Sequence, residues 1–226
     1  MINKKYFFQT LVSAFCLTFF MFASTASAQY KTGEIYDKDG LKGIIVYVDD
    51  SGEHGLLMSM ESSFKDWADT GKDKLSTPCF YEDDGLKNMD ALAQYIEEKG
   101  YTWEKFPVFE WARSLGDGWY IPAKDELQKI LLFINDGVEG KYQEKYAKAL
   151  NKSLTKAGAE GIFHKYLGQQ RFSNMFSSTE ADMGFVYQLQ YSKGLTKVTV
   201  KIAENGIKTM HMGKMGDNRS RAVHKF

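Results

Sequence analysis

Cysteine is almost missing from this chain: among 226 residues only Cys16 and Cys79 carry thiols. Cys16 lies in an apolar N-terminal run, so a mature chain without that run keeps Cys79 alone and forms no intramolecular disulfide. Stability must then come from the core. Histidine is scarce too. His54, His164, His211 and His224 fall in no H-x-x-x-H or H-E-x-x-H spacing, which leaves no recognisable metal-hydrolase motif. With three prolines and no repeat or low-complexity tract, no linker stands out. An excess of one charge is also lacking, since 29 basic residues meet 29 acidic ones. Neither a nucleic acid nor an anionic membrane surface is therefore an expected partner.

What is present begins with an export signal. Lys4 and Lys5 precede the apolar run Phe7 to Ala23, and Ala26-Ser27-Ala28 supplies small residues before Gln29. This layout predicts a signal peptide over 1–28, cleaved after Ala28, rather than an uncleaved anchor or a lipoprotein. The mature chain, 29–226, has 198 residues and a net charge of about −2, because the leader takes two lysines and no acids. That length fits one domain, with no membrane span after cleavage, in the periplasm, at the cell surface or in the secreted space.

The hydrophobic period changes twice along the mature chain. "GIIVYV" (43–48) and "LLMSM" (56–60) flank the Gly- and Asp-rich "DDSGEHG", which predicts a β-hairpin. Leu86, Met89, Leu92, Ala93 and Ile96 then recur at helical spacing, with Asp84 placed to cap the start and Gly100 to close the end. Further helices are expected in "FPVFEWARSLG", after Pro122, and from Tyr142 to Ala157 with Tyr142, Tyr146, Ala149, Leu150, Leu154 and Ala157 on one stripe. Alternation returns over Phe185 to Tyr191 and Val198 to Ile202, and Asn205-Gly206 has the residues of a tight hairpin turn. Strands, then helices, then strands argue for an α+β fold with an antiparallel sheet.

Candidate sites are sparse. Cys79 in "STPCFY" reads as a buried apolar residue, and with a histidine it would be the best nucleophile available. "MHMGKM" (210–215) offers soft ligands for Cu(I), but a strand there points His211 away from Met210 and Met212. The acidic turns "YDKDG", "VDDSGE" and "YEDDG" raise a calcium reading without completing a twelve-residue loop, so no cofactor is expected. Of the four tryptophans, Trp111 and Trp119 read as core. Trp67 and Trp103 lie in less regular text and are the better candidates for an exposed stacking surface, with Glu61 and Asp66 beside Trp67 in the sequence.

Two distant stretches carry a family resemblance: "GWYIPAKDEL" (118–127) and "FSSTE" (176–180), followed by a terminal "SRAVHKF". Together with "GIIVYVDDSGEHGLLMSM", they resemble the exported bacterial DUF1566, or Legionella collagen-like protein C-terminal, domain family. Its members carry a G-W-x-(L/I)-P-(T/S/A)-x-x-E-L segment, a W-S-S-T-E-like strand and a terminal R-x-V-R-like strand. Phe176 and His224 depart from that pattern. The resemblance implies a C-type lectin-like fold with the first and last strands paired. It makes Trp119, Pro122, Glu126, Leu127, Ser177, Ser178, Glu180 and Arg221 residues of the fold. The calcium-lectin signatures are missing, so the fold implies no sugar specificity. The function expected is a non-catalytic binding module for an extracytoplasmic glycan or protein. An assembling adhesion component and an enzyme using Cys79 are the alternatives.

Overall fold

A computed structural model describes residues 30–69, 75–139, 141–166, 169–172, 175–182, 185–192, 195–202 and 220–226. The leader, the Asn205-Gly206 turn and the methionine-rich stretch lie outside the described residues. The fold is α+β with antiparallel sheets. Strands β1 (Ile35–Lys38), β2 (Leu41–Val48) and β3 (Gly55–Met58) form a meander. Four helices follow: α1 (Gly85–Lys99), α2 (Pro107–Ser114), α3 (Lys124–Ile134) and α4 (Glu144–Lys156). A short 3-10 turn, Trp103–Lys105, leads into α2. Strands β4 (Phe163–Tyr166) and β5 (Gln169–Phe172) pair with each other, while β6 (Met175–Asp182), β7 (Phe185–Ser192) and β8 (Leu195–Ile202) make a third sheet. Strand β9 (Val223–Lys225) ends the chain.

The expected hairpin is present, with Ile44 opposite Met58 and Ile45 opposite Leu57. A register irregularity between Ile45 and Tyr47 breaks strict alternation, and Ile44, Ile45 and Val46 are all buried. The implied pairing of first and last strands is corrected in detail. β9 joins the N-terminal sheet through β3, with Met58 opposite Val223, and β1 holds the far edge. Burial explains the choice. Leu56, Leu57 and Met58 are all buried, so their backbone groups need partners on both sides, whereas β1 is half-exposed or exposed along its length.

Helix α1 starts and stops as its spacing predicts. Asp84 accepts from the N–H groups of Leu86 (3.1 Å) and Lys87 (3.3 Å), and Gly100 closes the helix at φ 64°. Its apolar stripe is only partly spent on the core: Met89, Leu92 and Ile96 are buried, but Leu86 is exposed and Ala93 half-buried. The last helix differs from expectation. It begins at Glu144 and buries Ala147 and Leu154, leaving Ala149 and Ala157 exposed. Tyr142 precedes it and packs on Tyr191 from β7 with ring centres 4.9 Å apart. Helix α3 packs against β2 on one side and β6, β7 and β8 on the other, so it is the central element. Leu127, Ile130, Leu131 and Ile134 supply its buried face.

Candidate functional site

Segments 118–127, 176–180 and the final strand come together around the start of α3. "GWYIPAKDEL" runs from a turn into α3, and its backbone is held from three sides. Tyr120 exchanges two backbone hydrogen bonds with Val223 (2.9 and 2.8 Å), Ser178 N–H donates to Pro122 O (2.8 Å), and Lys124 N–H donates to Thr179 Oγ1 (3.0 Å). The buried Glu126 carboxylate then gathers three donors: Tyr120 hydroxyl at 2.7 Å, Ala123 N–H at 2.8 Å and Gly85 N–H at 3.1 Å. One side chain therefore joins the first turns of α1 and α3. Burial pushes its pKa up against the pull of those hydrogen bonds. Burial likewise holds the Tyr120 phenol well above its ordinary range, with the Glu126 charge adding to the effect.

The neighbouring polar groups are also engaged in the fold. Glu180 accepts from Thr77 N–H (2.7 Å) and hydroxyl (2.6 Å), and its own N–H donates to Cys79 O (2.6 Å). Asn88, buried within α1, donates to Tyr81 O (2.7 Å) and Ser178 Oγ (3.0 Å) and accepts from Tyr81 N–H (2.9 Å). Arg221 is buried and fans across two loops, donating to Ser59 O (2.7 Å), Met60 O (3.1 Å), Glu160 O (2.6 Å) and Gly161 O (3.3 Å). Ser177 accepts through its carbonyl from the Trp67 indole N–H at 2.8 Å. Each of these buried side chains makes hydrogen bonds within the scaffold of the fold.

A cleft of about 320 Å³ opens on this scaffold. One wall is α1, through Leu86, Met89, Asp90 and Ala93. The other comes from Trp103 and Arg113, and the turn Gly116 to Trp119 closes the end. The Glu126 carboxylate fixes the α1 wall through Gly85, and Trp119 is itself buried against His224 with ring centres 5.5 Å apart. Gly118 adopts φ 78°, and a side chain there would run into His224. The Arg113 guanidinium lies 4.1 Å from the centre of the half-buried Trp103 ring. A second cleft of about 320 Å³ lies between β2 and the end of α3. Val46, Val48, Leu132 and Phe133 are its aliphatic and phenyl lining, and Lys129 lies 4.3 Å over the Tyr47 ring.

The four residues proposed as a binding surface do not form one. Trp103 lines the first cleft, but the expectation of an exposed Trp67 is corrected: it is fully buried, edge-on to Phe109 (4.8 Å) and Phe106 (6.2 Å). Asp66 is half-buried and accepts the Val108 N–H through its carbonyl at 3.0 Å, while Glu61 is exposed. Neither lines the Trp103 cleft. Cys79 is fully buried with its thiol on Asn88 O at 3.5 Å, and burial pushes its pKa up to about 12. It is protonated at neutral pH and out of reach of a substrate. The acidic turns serve turn and cap chemistry. Asp49 accepts from Ser51 N–H (3.0 Å) and Gly52 N–H (3.2 Å), and Asp84 pairs with Lys225 at 2.9 Å besides capping α1. Among the described residues no three His, Cys, Asp or Glu side chains gather where a metal ion would sit. No helix among them is long and apolar enough to cross a membrane.

Arg113, Asp90 and Asp117 were not legible as site residues, since a charge on a helix face or in a turn is ordinary. Leu86 did carry a signal: it belongs to an apolar stripe that the core does not fully use. No known family's sequence model matches the chain, and no curated protein matches it.

Proposed function

We propose that the protein is an exported, non-catalytic binding module of the cell envelope or secreted space, with the Trp103 cleft as its ligand site. The carrying observation is the cleft itself, a concave opening of ligand-pocket size whose α1 wall is tied to the start of α3 by the Glu126 carboxylate. Rigid support of this kind lowers the cost of ordering on binding. The groups with the largest chemical potential for catalysis, Cys79, Tyr120 and Glu126, are buried and engaged in the fold. The motif set supports a C-type lectin-like arrangement of the DUF1566 kind, in which loops over a sheet carry contacts.

A second reading, assembly with other envelope proteins, is favoured by Phe80 and Tyr81, adjacent aromatics that are 57% and 46% exposed. Affinity capture from envelope extract by the immobilised full-length protein tests the first reading. Capture of a defined component that is lost with Trp103→Ala supports it. Capture lost instead with a Phe80→Ser, Tyr81→Ser double substitution and kept with Trp103→Ala supports assembly. Capture unaffected by either change contradicts both.

A further inference from the structure

We infer that α4 is an electrostatic docking ridge for an anionic phospholipid surface, with Lys145, Lys148, Lys152 and Lys156 as its contact row. The inference goes beyond the binding-module reading and shares no residue with the Trp103 cleft, so either can fail without the other. Equal totals of basic and acidic residues speak against an anionic partner for the chain as an average. That balance is not kept along α4. From Lys141 to Lys156 there are five lysines and one acid, Glu144, and all five lysines are exposed. At about 100° per residue, the four lysines within the helix fall in an arc of about 80° and span about 16 Å of its length. Ala147 and Leu154, the residues α4 buries in the core, lie on the opposite side. The row therefore faces away from the body.

The stability of the helix does not account for such a row. Lys145 with Lys148, Lys148 with Lys152, and Lys152 with Lys156 are like charges at three- and four-residue steps, where they repel. Lys145, in the first turn, adds a positive charge at the positive end of the helix dipole; only Lys156, in the last turn, suits that dipole. Glu144 pairs with Lys148 at 2.6 Å, and among the described residues no ion pair takes Lys145, Lys152 or Lys156. Charge complementarity then names the occupant. Ala149 and Ser153, which stand among the lysines, are small and exposed. They offer no ring on which a nucleic-acid base would stack and no large apolar group to enter acyl chains. A convex ridge meets a flat surface along its whole length, and flexible ammonium groups suit mobile, hydrated headgroups better than guanidinium forks would. Each lysine near an anionic bilayer strengthens attachment about fivefold, so the contact is weak, reversible and screened by salt.

The test is co-sedimentation of the purified protein with vesicles of phosphatidylcholine, alone or with about one third phosphatidylglycerol, at low and high salt. Neutral vesicles register whatever the apolar N-terminal run contributes without charge. A preference for the anionic vesicles is expected, and it should disappear at high salt. The double variant Lys145→Gln, Lys152→Gln should weaken that preference about 25-fold. Lys87→Gln with Lys99→Gln, both exposed on α1, removes the same charge elsewhere and should leave it unchanged. Melting curves establish that the variants fold. Should the first pair fail to fold, Lys152→Gln with Lys156→Gln carries the same test. Equal binding to neutral and anionic vesicles overturns the inference, as do equal losses in the α4 and α1 variants. Binding to DNA or another soluble polyanion, with none to anionic vesicles, overturns it too, because the occupant is then not a bilayer.

Discussion

At the residue scale, the chain puts its most reactive groups to structural use. Cys79 shows this simply. A thiol in water has a pKa near 9 and this one is pushed up to about 12 by burial, so alkylating reagents find neither the thiolate nor a path to it. We predict that iodoacetamide leaves Cys79 unmodified in the folded protein and modifies it once denaturant unfolds the chain; modification at the same rate in both states would contradict its burial. Glu126 makes a finer test. Its folded pKa is raised above the ordinary value of 4.5, so the folded state holds the proton more tightly than the unfolded state. Its contribution to stability is greatest below that ordinary value and declines as pH rises from there through the raised folded pKa. A glutamine in its place does not titrate. The stability of the wild type relative to Glu126→Gln should therefore fall over that window, as read by melting at a series of pH values, and a constant difference would refute the assignment. Glu126→Ala strands Tyr120 hydroxyl and two N–H donors, and should cost about 2–4 kcal/mol below that window and less above it.

At the element scale, α1 decides whether the cleft has a wall. Gly85 opens this helix so close to the Ile121–Ala123 backbone that an added Cβ would run into Ile121 O and lie 2.8 Å from Ala123 N. Gly85→Ala should cost about 1–3 kcal/mol through that crowding and lower the melting temperature by several degrees. A melting temperature equal to the wild type would show that the two segments are not in contact. Local rules made this helix legible, because Asp84 caps it and Gly100 ends it whatever else the chain does. They did less for α3, where Ala123 at the N-cap position offers no side-chain acceptor. The missing partners come from elsewhere in the chain: Thr179 Oγ1 takes the Lys124 N–H, and Glu82 O takes the Asp125 N–H at 2.8 Å. For α4 the tyrosine stripe misled, since Tyr142 packs on β7 before the helix begins.

At the scale of the whole molecule, α3 lies between the N-terminal sheet and the β6–β8 sheet, and the final strand returns to β3. The α+β class was legible because the period changes from two to 3.6 and back, and because the turn residues stand between the runs. Trp119 was expected in the core and is buried there, as are Glu126, Ser178 and Arg221. The position of Trp67 was not legible, for it is set by Ser177, 110 residues away, by Phe106 just before α2 and by Phe109 within it. The cleft was legible through Trp103 and through the Leu86 stripe, but its charged walls become neighbours only when α1, α2 and the Gly116–Trp119 turn come together.

The most direct measurement of the central claim is site-specific photo-crosslinking in the producing cells, with the probe at Asp117 on the rim of the cleft and, for comparison, at exposed Glu61. Our account predicts a recurring adduct from position 117 that disappears with Trp103→Ala and is not seen from position 61. No adduct from position 117, or one that persists with Trp103→Ala in a protein that still folds, would contradict it.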